Sequence, residues 1–184
     1  MAPLITQSII PAIRNMREFE HLLRTDYEYL VLLNVHVAGV RAVVQRAAQD
    51  GKKMILHADL IEGLKSDEYA AEFIAQEVRP AGIISTRHNM LLTAKKKGLI
   101  AIQRLFLLDT MALDNSYVHL EKTKPDYVEV LPGVIPHIIR EFYEKAKVPV
   151  IAGGLIRSQD EVQQALQAGA VAVTTSRKEL WTAR

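Results

Sequence analysis

The 184-residue sequence contains no cysteine, which excludes disulfides, thiolate nucleophiles and thiolate metal sites. Its first residues, MAPLITQSIIPAIRNMREF, carry no basic segment ahead of an apolar core, and Pro3 and Pro11 interrupt them. They do not read as a secretory leader. Apolar runs are short, as in Leu30–Leu33, far below the ~18 residues that a membrane span requires. No His-x-His or HExxH spacing occurs, so the pattern offers no metal site. Together these absences predict a cytoplasmic protein in a reducing compartment, with no membrane partner.

Hydrophobic residues make up 49% of the chain and charged ones 24%, with a net charge of +2 and a pI near 8.8. That balance is ordinary for a globular protein, and its mild basicity is compatible with a polyanion without being diagnostic of one. The length suits one domain with a substantial core. Short β-rich runs alternate with longer amphipathic segments. The pattern predicts strands at Ile9–Arg14, Tyr29–His36, Met54–Asp59, Ala81–Thr86, Leu99–Phe106, Tyr127–Leu131, Val148–Gly153 and Val171–Ser176.

Helical patterns separate these strands. In DEYAAEFIAQEV, Tyr69, Phe73 and Ile74 fall on one face. In SQDEVQQALQAG, Ser158 is the expected N-cap, Glu161 completes a capping box and Gly169 ends the helix. Eight strands, each followed by a helix, imply an α/β fold, a compact (β/α)8 TIM-like barrel of parallel strands. The expectation is a single barrel domain over residues 1–184, with no linker or composition break.

Barrel ligand sites lie at the C-terminal ends of strands, so those ends carry the functional candidates. The stretch IAGGLIRSQDEV halts an apolar strand at Gly153-Gly154, ahead of a helix N-terminus. A tight turn explains two glycines. A phosphate cradle explains them too, and Thr174, Thr175 and Ser176 at the neighbouring strand end favour it. The candidate phosphate residues are Gly153, Gly154, Thr175, Ser176 and Arg157. A helix N-terminus contributes roughly 0.3–2 kcal/mol toward an anion, whereas micromolar binding needs about 8 kcal/mol. Guanidinium groups must therefore supply much of the rest, with Arg14, Arg104 and Arg157 as candidates.

His57 and Asp59 share a strand parity. With His36, Glu129, Arg14 and Arg104 they form an expected polar ring suited to a polyol, in preference to a metal. Every lysine lies in a predicted helix, a loop or the start of a strand, which argues against Schiff-base chemistry. Glu129 or Asp59 remains a possible base, so a small barrel enzyme, an isomerase or lyase acting on a phosphorylated polyol, stays open. The run AKKKG ends a helix on the barrel face opposite the mouth. Lys95, Lys96 and Lys97 there suit the helix dipole and are weak candidates for contacting RNA phosphates.

Six segments carry a resemblance over nearly the whole chain: HADLIEGLKSDEYAAEF, RPAGIISTRHNM, AIQRLFLLDT, KPDYVEVLPGVIPHII, AGGLIRS and VTTS. They closely resemble the glycerol uptake operon antiterminator regulatory proteins, a family responsive to glycerol 3-phosphate. The resemblance implies a regulator of transcription in glycerol metabolism with no catalytic residues. Its implied effector is glycerol 3-phosphate, with no cofactor beyond it. The implied partner is the leader mRNA of glycerol-utilisation operons, bound so that transcription passes a terminator. A homodimer is left open, and neither sequence nor family identifies the RNA-contacting surface.

Overall fold

The computed structural model describes residues 4–181. Its core is a closed barrel of eight parallel strands in sequence order. These are β1 (Ile9–Ile13), β2 (Tyr29–Leu32), β3 (Lys53–His57), β4 (Gly82–Ser85), β5 (Ile100–Phe106), β6 (Tyr127–Leu131), β7 (Val150–Gly153) and β8 (Ala170–Thr175). Pairing of Ile9–Pro11 with Val173–Thr175 closes the ring.

Helices α1 (Met16–Leu22), α2 (Val37–Gln49), α3 (Glu68–Phe73), α4 (His88–Lys96), α5 (Thr110–Thr123), α6 (Pro136–Ala146) and α7 (Gln159–Gln167) cover the outside. Among the described residues, β8 is followed by the 3-10 turn Lys178–Leu180, where the alternation predicts an eighth helix.

Alternation along each strand sorts the side chains into two cores. Ile10, Ala12, Tyr29, Val31, Ile55, Ile84, Ile102, Tyr127, Ile151 and Ala172 fill the barrel. The opposite parity packs against the helices in two outer clusters, one around α1–α4 and one around α5–α7. The N-terminal end is sealed. Ile5 is buried there and its N–H donates to the Tyr127 hydroxyl at 2.9 Å. Gln7 ties down the neighbouring backbone, donating to Ile9 and Tyr29 carbonyls and accepting from the Tyr29 N–H.

Three sequence expectations need correction. The run Tyr29–His36 is not one strand. After Leu32 the chain leaves the barrel, and Val35–His36 pairs with Ile61–Glu62 in a separate two-stranded ladder. The strand expected to reach Asp59 stops at His57, where Ala58–Leu60 turns as a 3-10 helix. In α3, and the π-helical turn Ile74–Val78 that extends it, Ala70, Ala71, Ile74 and Val78 form the buried face. Tyr69 is 72% exposed and Phe73 37%, so the small alanines and not the aromatics enter the outer core, where α3 packs against α4. The helix from Gln159 behaves as expected: Ser158 and Glu161 form the capping box, and Gly169 follows at φ +108°.

Candidate functional site

The interior columns that are apolar at mid-barrel turn polar one step toward the C-terminal mouth. Two residues beyond Ile55, Ile102, Tyr127, Ile151 and Ala172 stand His57, Arg104, Glu129, Gly153 and Thr174. Strand parity therefore gathers them in one layer. Glu129, 1% exposed, holds it together: one carboxylate oxygen accepts from Arg104 Nε at 2.6 Å, and the other from Thr174 Oγ1 at 2.6 Å. A Cβ on Gly153 would stand 2.6 Å from Thr174 Oγ1 and 2.8 Å from Glu129 Oε1. Glycine at this strand end makes room for the Glu129 network.

Above this layer opens a cavity of about 630 Å³, lined among others by Arg14, Arg104, Glu129, Gly154, Arg157, Thr174, Ser176, Arg177 and Lys178. Its volume is within the range of small-ligand sites. Gly154 takes φ +76°, and Leu155 follows at φ +61°, also left-handed. A side chain at Gly154 would be strained by that φ and would approach Leu131 Cδ2 to 3.0 Å. The Leu131–Pro132 bond is cis, and the Gly133 N–H donates to the Gly153 and Gly154 carbonyls. The β6 and β7 loops are thereby joined at the mouth.

A capping box closes the start of the helix behind the glycines. Glu161 accepts from the N–H groups of Arg157 at 2.6 Å and Ser158 at 3.0 Å. Those two amides hold the Glu161 carboxyl below its ordinary range despite some desolvation. Two of the amides that lead into α7 are thus taken by the chain's own carboxylate. Thr175 is likewise committed, donating to the Ile156 carbonyl and accepting from the Arg177 N–H. Gly154, Thr175, Ser176 and Arg157 all line the cavity.

The polar ring is only partly assembled. Arg14, Arg104 and Glu129 line the cavity. His57 lies in the same layer, 3% exposed, and neither ring nitrogen has a hydrogen-bond partner among the described residues. Burial, reinforced by the Arg104 charge, pushes its pKa below the usual 6.5 despite the nearby Glu129 and Asp59 carboxylates. The imidazole is therefore held neutral.

Asp59 turns away to the β4 loop, accepting from Ser85 Oγ, the Thr86 N–H and Thr86 Oγ1. His36 is exposed and caps α2, its Nδ1 accepting from the Ala38 N–H. Neither residue lines the cavity. At the opposite end, Lys95 pairs with Asp126 at 3.1 Å and Lys97 with Glu72 at 3.0 Å, while Lys96 makes no ion pair among the described residues.

Sequence reasoning missed Glu18, Lys178 and Arg177. Glu18 is 2% exposed and accepts from the Arg14 N–H at 2.8 Å. It also meets the Arg14 guanidinium at 3.4 Å and Lys178 Nζ at 3.6 Å. Burial opposes its charge, yet these donors, with Asn15, bring its pKa below the ordinary value. The buried carboxylate thus steadies two cavity cations that come from opposite ends of the chain. The Asn15 cap was the available signal, since an Asn-x-x-Glu spacing marks a reciprocal helix start.

The family model for the glycerol-3-phosphate responsive antiterminator matches residues 9–181. The crystal structure of the glycerol uptake operon antiterminator regulatory protein from Listeria monocytogenes str. 4b F2365 superimposes with a TM-score of 0.94 at 47% identity, covering 97% of each chain. A glycerol uptake operon antiterminator-related protein from Thermotoga maritima MSB8 gives a TM-score of 0.84 at 28% identity, over 96% of this chain and 98% of that one. The deoxyribose phosphate aldolase from Aeropyrum pernix, 18% identical with a TM-score of 0.70 over 94% of this chain and 86% of that one, shares the fold alone. No helix among the described residues is long and apolar enough to cross a membrane.

Proposed function

The chain belongs to the glycerol-3-phosphate responsive antiterminator family, and on that premise we propose that residues 1–184 act as one regulatory unit sensing glycerol 3-phosphate in the mouth cavity. Ligand binding there promotes association with the leader mRNA of glycerol-utilisation operons and readthrough of a terminator. The observation that carries this reading is the pairing of a cationic wall with a polar floor. Arg14, Arg157 and Lys178 stand with Gly154 and Ser176 on one side, and the Arg104–Glu129–Thr174 network lies beneath.

In this reading the phosphate takes the Gly154 and Ser176 side, with guanidinium groups as its main partners. The polyol end faces Arg104 and Glu129, with the neutral His57 buried in the same strand layer. Both Glu129 oxygens already accept short hydrogen bonds. That favours recognition over proton abstraction, and so a sensor over the isomerase or lyase alternative that the barrel fold suggests by analogy. No cofactor enters this scheme. For the ligand to act as a switch, it binds the RNA-competent state more tightly than the other.

Calorimetric titration with glycerol 3-phosphate, with glycerol as the control, tests the reading. A saturating, phosphate-dependent heat without turnover is expected. Sustained heat from product formation would instead establish the enzyme. Replacing Gly154 by valine sets a β-branched side chain at φ +76° against Leu131, and glycerol 3-phosphate binding should be lost. Unchanged affinity in that variant removes the Gly154 side as the phosphate seat.

A further inference from the structure

The barrel mouth carries more arginines than the cavity wall requires. Arg17 in the first turn of α1, Arg87 at the N-cap of α4, Arg157 after β7 and Arg177 after β8 are all exposed. None makes an ion pair among the described residues. Several carboxylates of the same face are engaged elsewhere. Glu18 serves Arg14 and Lys178, Asp59 holds Ser85 and Thr86, and Glu161 caps α7. Glu62, Glu68, Asp109, Asp160 and Glu179 are exposed at the same end, so what marks this surface is its guanidiniums without ion pairs and not a net excess of positive charge.

The lysine run at the other end differs, since Lys95 and Lys97 already have carboxylate partners. An arginine matches phosphate oxygens with a planar fork and stacks on bases, which a lysine does not do. Apolar surface borders the arginine crown as well. Phe106, 49% exposed, ends β5, the neighbour of the strand that leads into Arg87. Leu108, in the same β5-to-α5 connection, and Leu155, after β7, are exposed as well. Guanidiniums beside an exposed ring suit a single strand, its phosphates on the cations and a base on the ring.

Resting on the RNA-binding reading above, we propose that single-stranded leader RNA lies across the C-terminal mouth, over the effector cavity. Its phosphates sit on Arg17, Arg87 and Arg177, and a base stacks on Phe106, while Arg157 stays with the effector. RNA in this position covers the cavity and slows the effector's departure. Reciprocity then requires that the effector raise RNA affinity by the factor by which RNA raises the effector's. The effector's negative charge opposes the RNA phosphates. The favourable coupling therefore comes from contact, with the filled cavity completing the surface on which the RNA rests.

The test uses the full chain, fluorescently labelled leader RNA and saturating glycerol 3-phosphate over a range of salt. Arg17→Ala/Arg87→Ala removes two exposed guanidiniums outside the cavity lining. Its RNA affinity should fall about tenfold, with a log–log salt slope shallower by about 1.4, or about 0.7 for each phosphate no longer neutralised. Its glycerol 3-phosphate titration should be unchanged, which shows an intact fold and pocket. The Lys95→Ala/Lys96→Ala/Lys97→Ala variant should bind RNA like the parent. The proposal is overturned if the arginine variant binds RNA normally, or if the lysine variant carries the loss. It is also overturned if RNA leaves the effector's dissociation rate unchanged. If the parent protein binds effector but no RNA even at low salt, the RNA reading itself fails and this surface with it. Effector binding without RNA association would point to a protein partner.

Discussion

The two ends of the barrel are built from the same eight strands and do opposite things. At the N-terminal end the interior columns finish in Tyr29 and Tyr127, and Ile5 plugs the opening with its amide on the Tyr127 hydroxyl. At the C-terminal end the same columns finish in Arg104, Glu129, His57 and Thr174 beneath an open cavity. The mouth arginines without ion pairs differ from Lys95 and Lys97 at the far end, which have carboxylate partners. The contrast shows how one scaffold divides its work: one end supplies the apolar closure that a small barrel needs, and the other holds polar groups that require partners. Its energetic content is that the mouth trades stability for recognition, because buried polar groups are costly unless fully bonded.

The largest expected effect comes from breaking the Glu129 network. Glu129→Gln removes the charge opposite Arg104, whose side chain is only 15% exposed, and leaves a poorly solvated guanidinium without a counterion. Loss of one partner of such a pair costs about 3 kcal/mol. Urea unfolding should report a loss of that order together with loss of glycerol 3-phosphate binding. A cost below about 1 kcal/mol would mean that cavity water solvates Arg104 well enough to make the pair equivalent to a surface one.

His57 gives an intermediate effect confined to a pH window. Its folded pKa lies below the usual 6.5 because burial and Arg104 disfavour the imidazolium. Between the folded value and 6.5 the unfolded chain binds a proton that the folded one does not, so stability rises with pH across that window. It is complete above about pH 6.5, and is lost as pH falls from there toward the folded value. The slope approaches about 1.4 kcal/mol per pH unit. Melting temperature measured from pH 8 to 5 should therefore decline below 6.5, and His57→Gln should flatten that decline. The Glu18 carboxyl acts in a separate, more acidic range. Its lowered pKa provides stability that is present above its usual 4.5 and lost as pH falls through the folded value. An unchanged profile in His57→Gln would mean that the ring is solvated through the mouth.

Much of this architecture was legible in the sequence because it is periodic. Short β-rich apolar runs marked all eight strands, and the parity that puts Ile151 and Ala172 inside also puts Gly153 and Thr174 inside. Errors arose where the chain left that period. Asp59 and His36 were aligned with strands that had already ended, so the expected ring contained two residues that stabilise loops. In α3 the expected face held for Ile74 but not for Tyr69 and Phe73, because packing against α4 selects the small Ala70 and Ala71. The Glu18–Lys178 pair joins residues 160 positions apart by closing β1 against β8, and no local pattern foretells it. Lys178 therefore passed as a loop lysine, although it lines the cavity.

The smallest effect belongs to the sealed end. Tyr127→Phe keeps the ring among Ile5, Tyr29 and Ile102 and removes only the hydroxyl that accepts from the Ile5 N–H at 2.9 Å. That N–H belongs to a residue 1% exposed, so the cost combines the missing hydrogen bond with an unsatisfied donor, about 1–2 kcal/mol. Burial raises the Tyr127 pKa above 10.0 in spite of that donated bond, so the phenol is neutral at working pH and no charge is removed with it. Equilibrium unfolding should register this modest loss while the glycerol 3-phosphate titration stays unchanged. If effector affinity falls as well, the floor and the mouth are mechanically coupled through the β6 strand that carries both Tyr127 and Glu129, and the division of labour between the two ends does not hold.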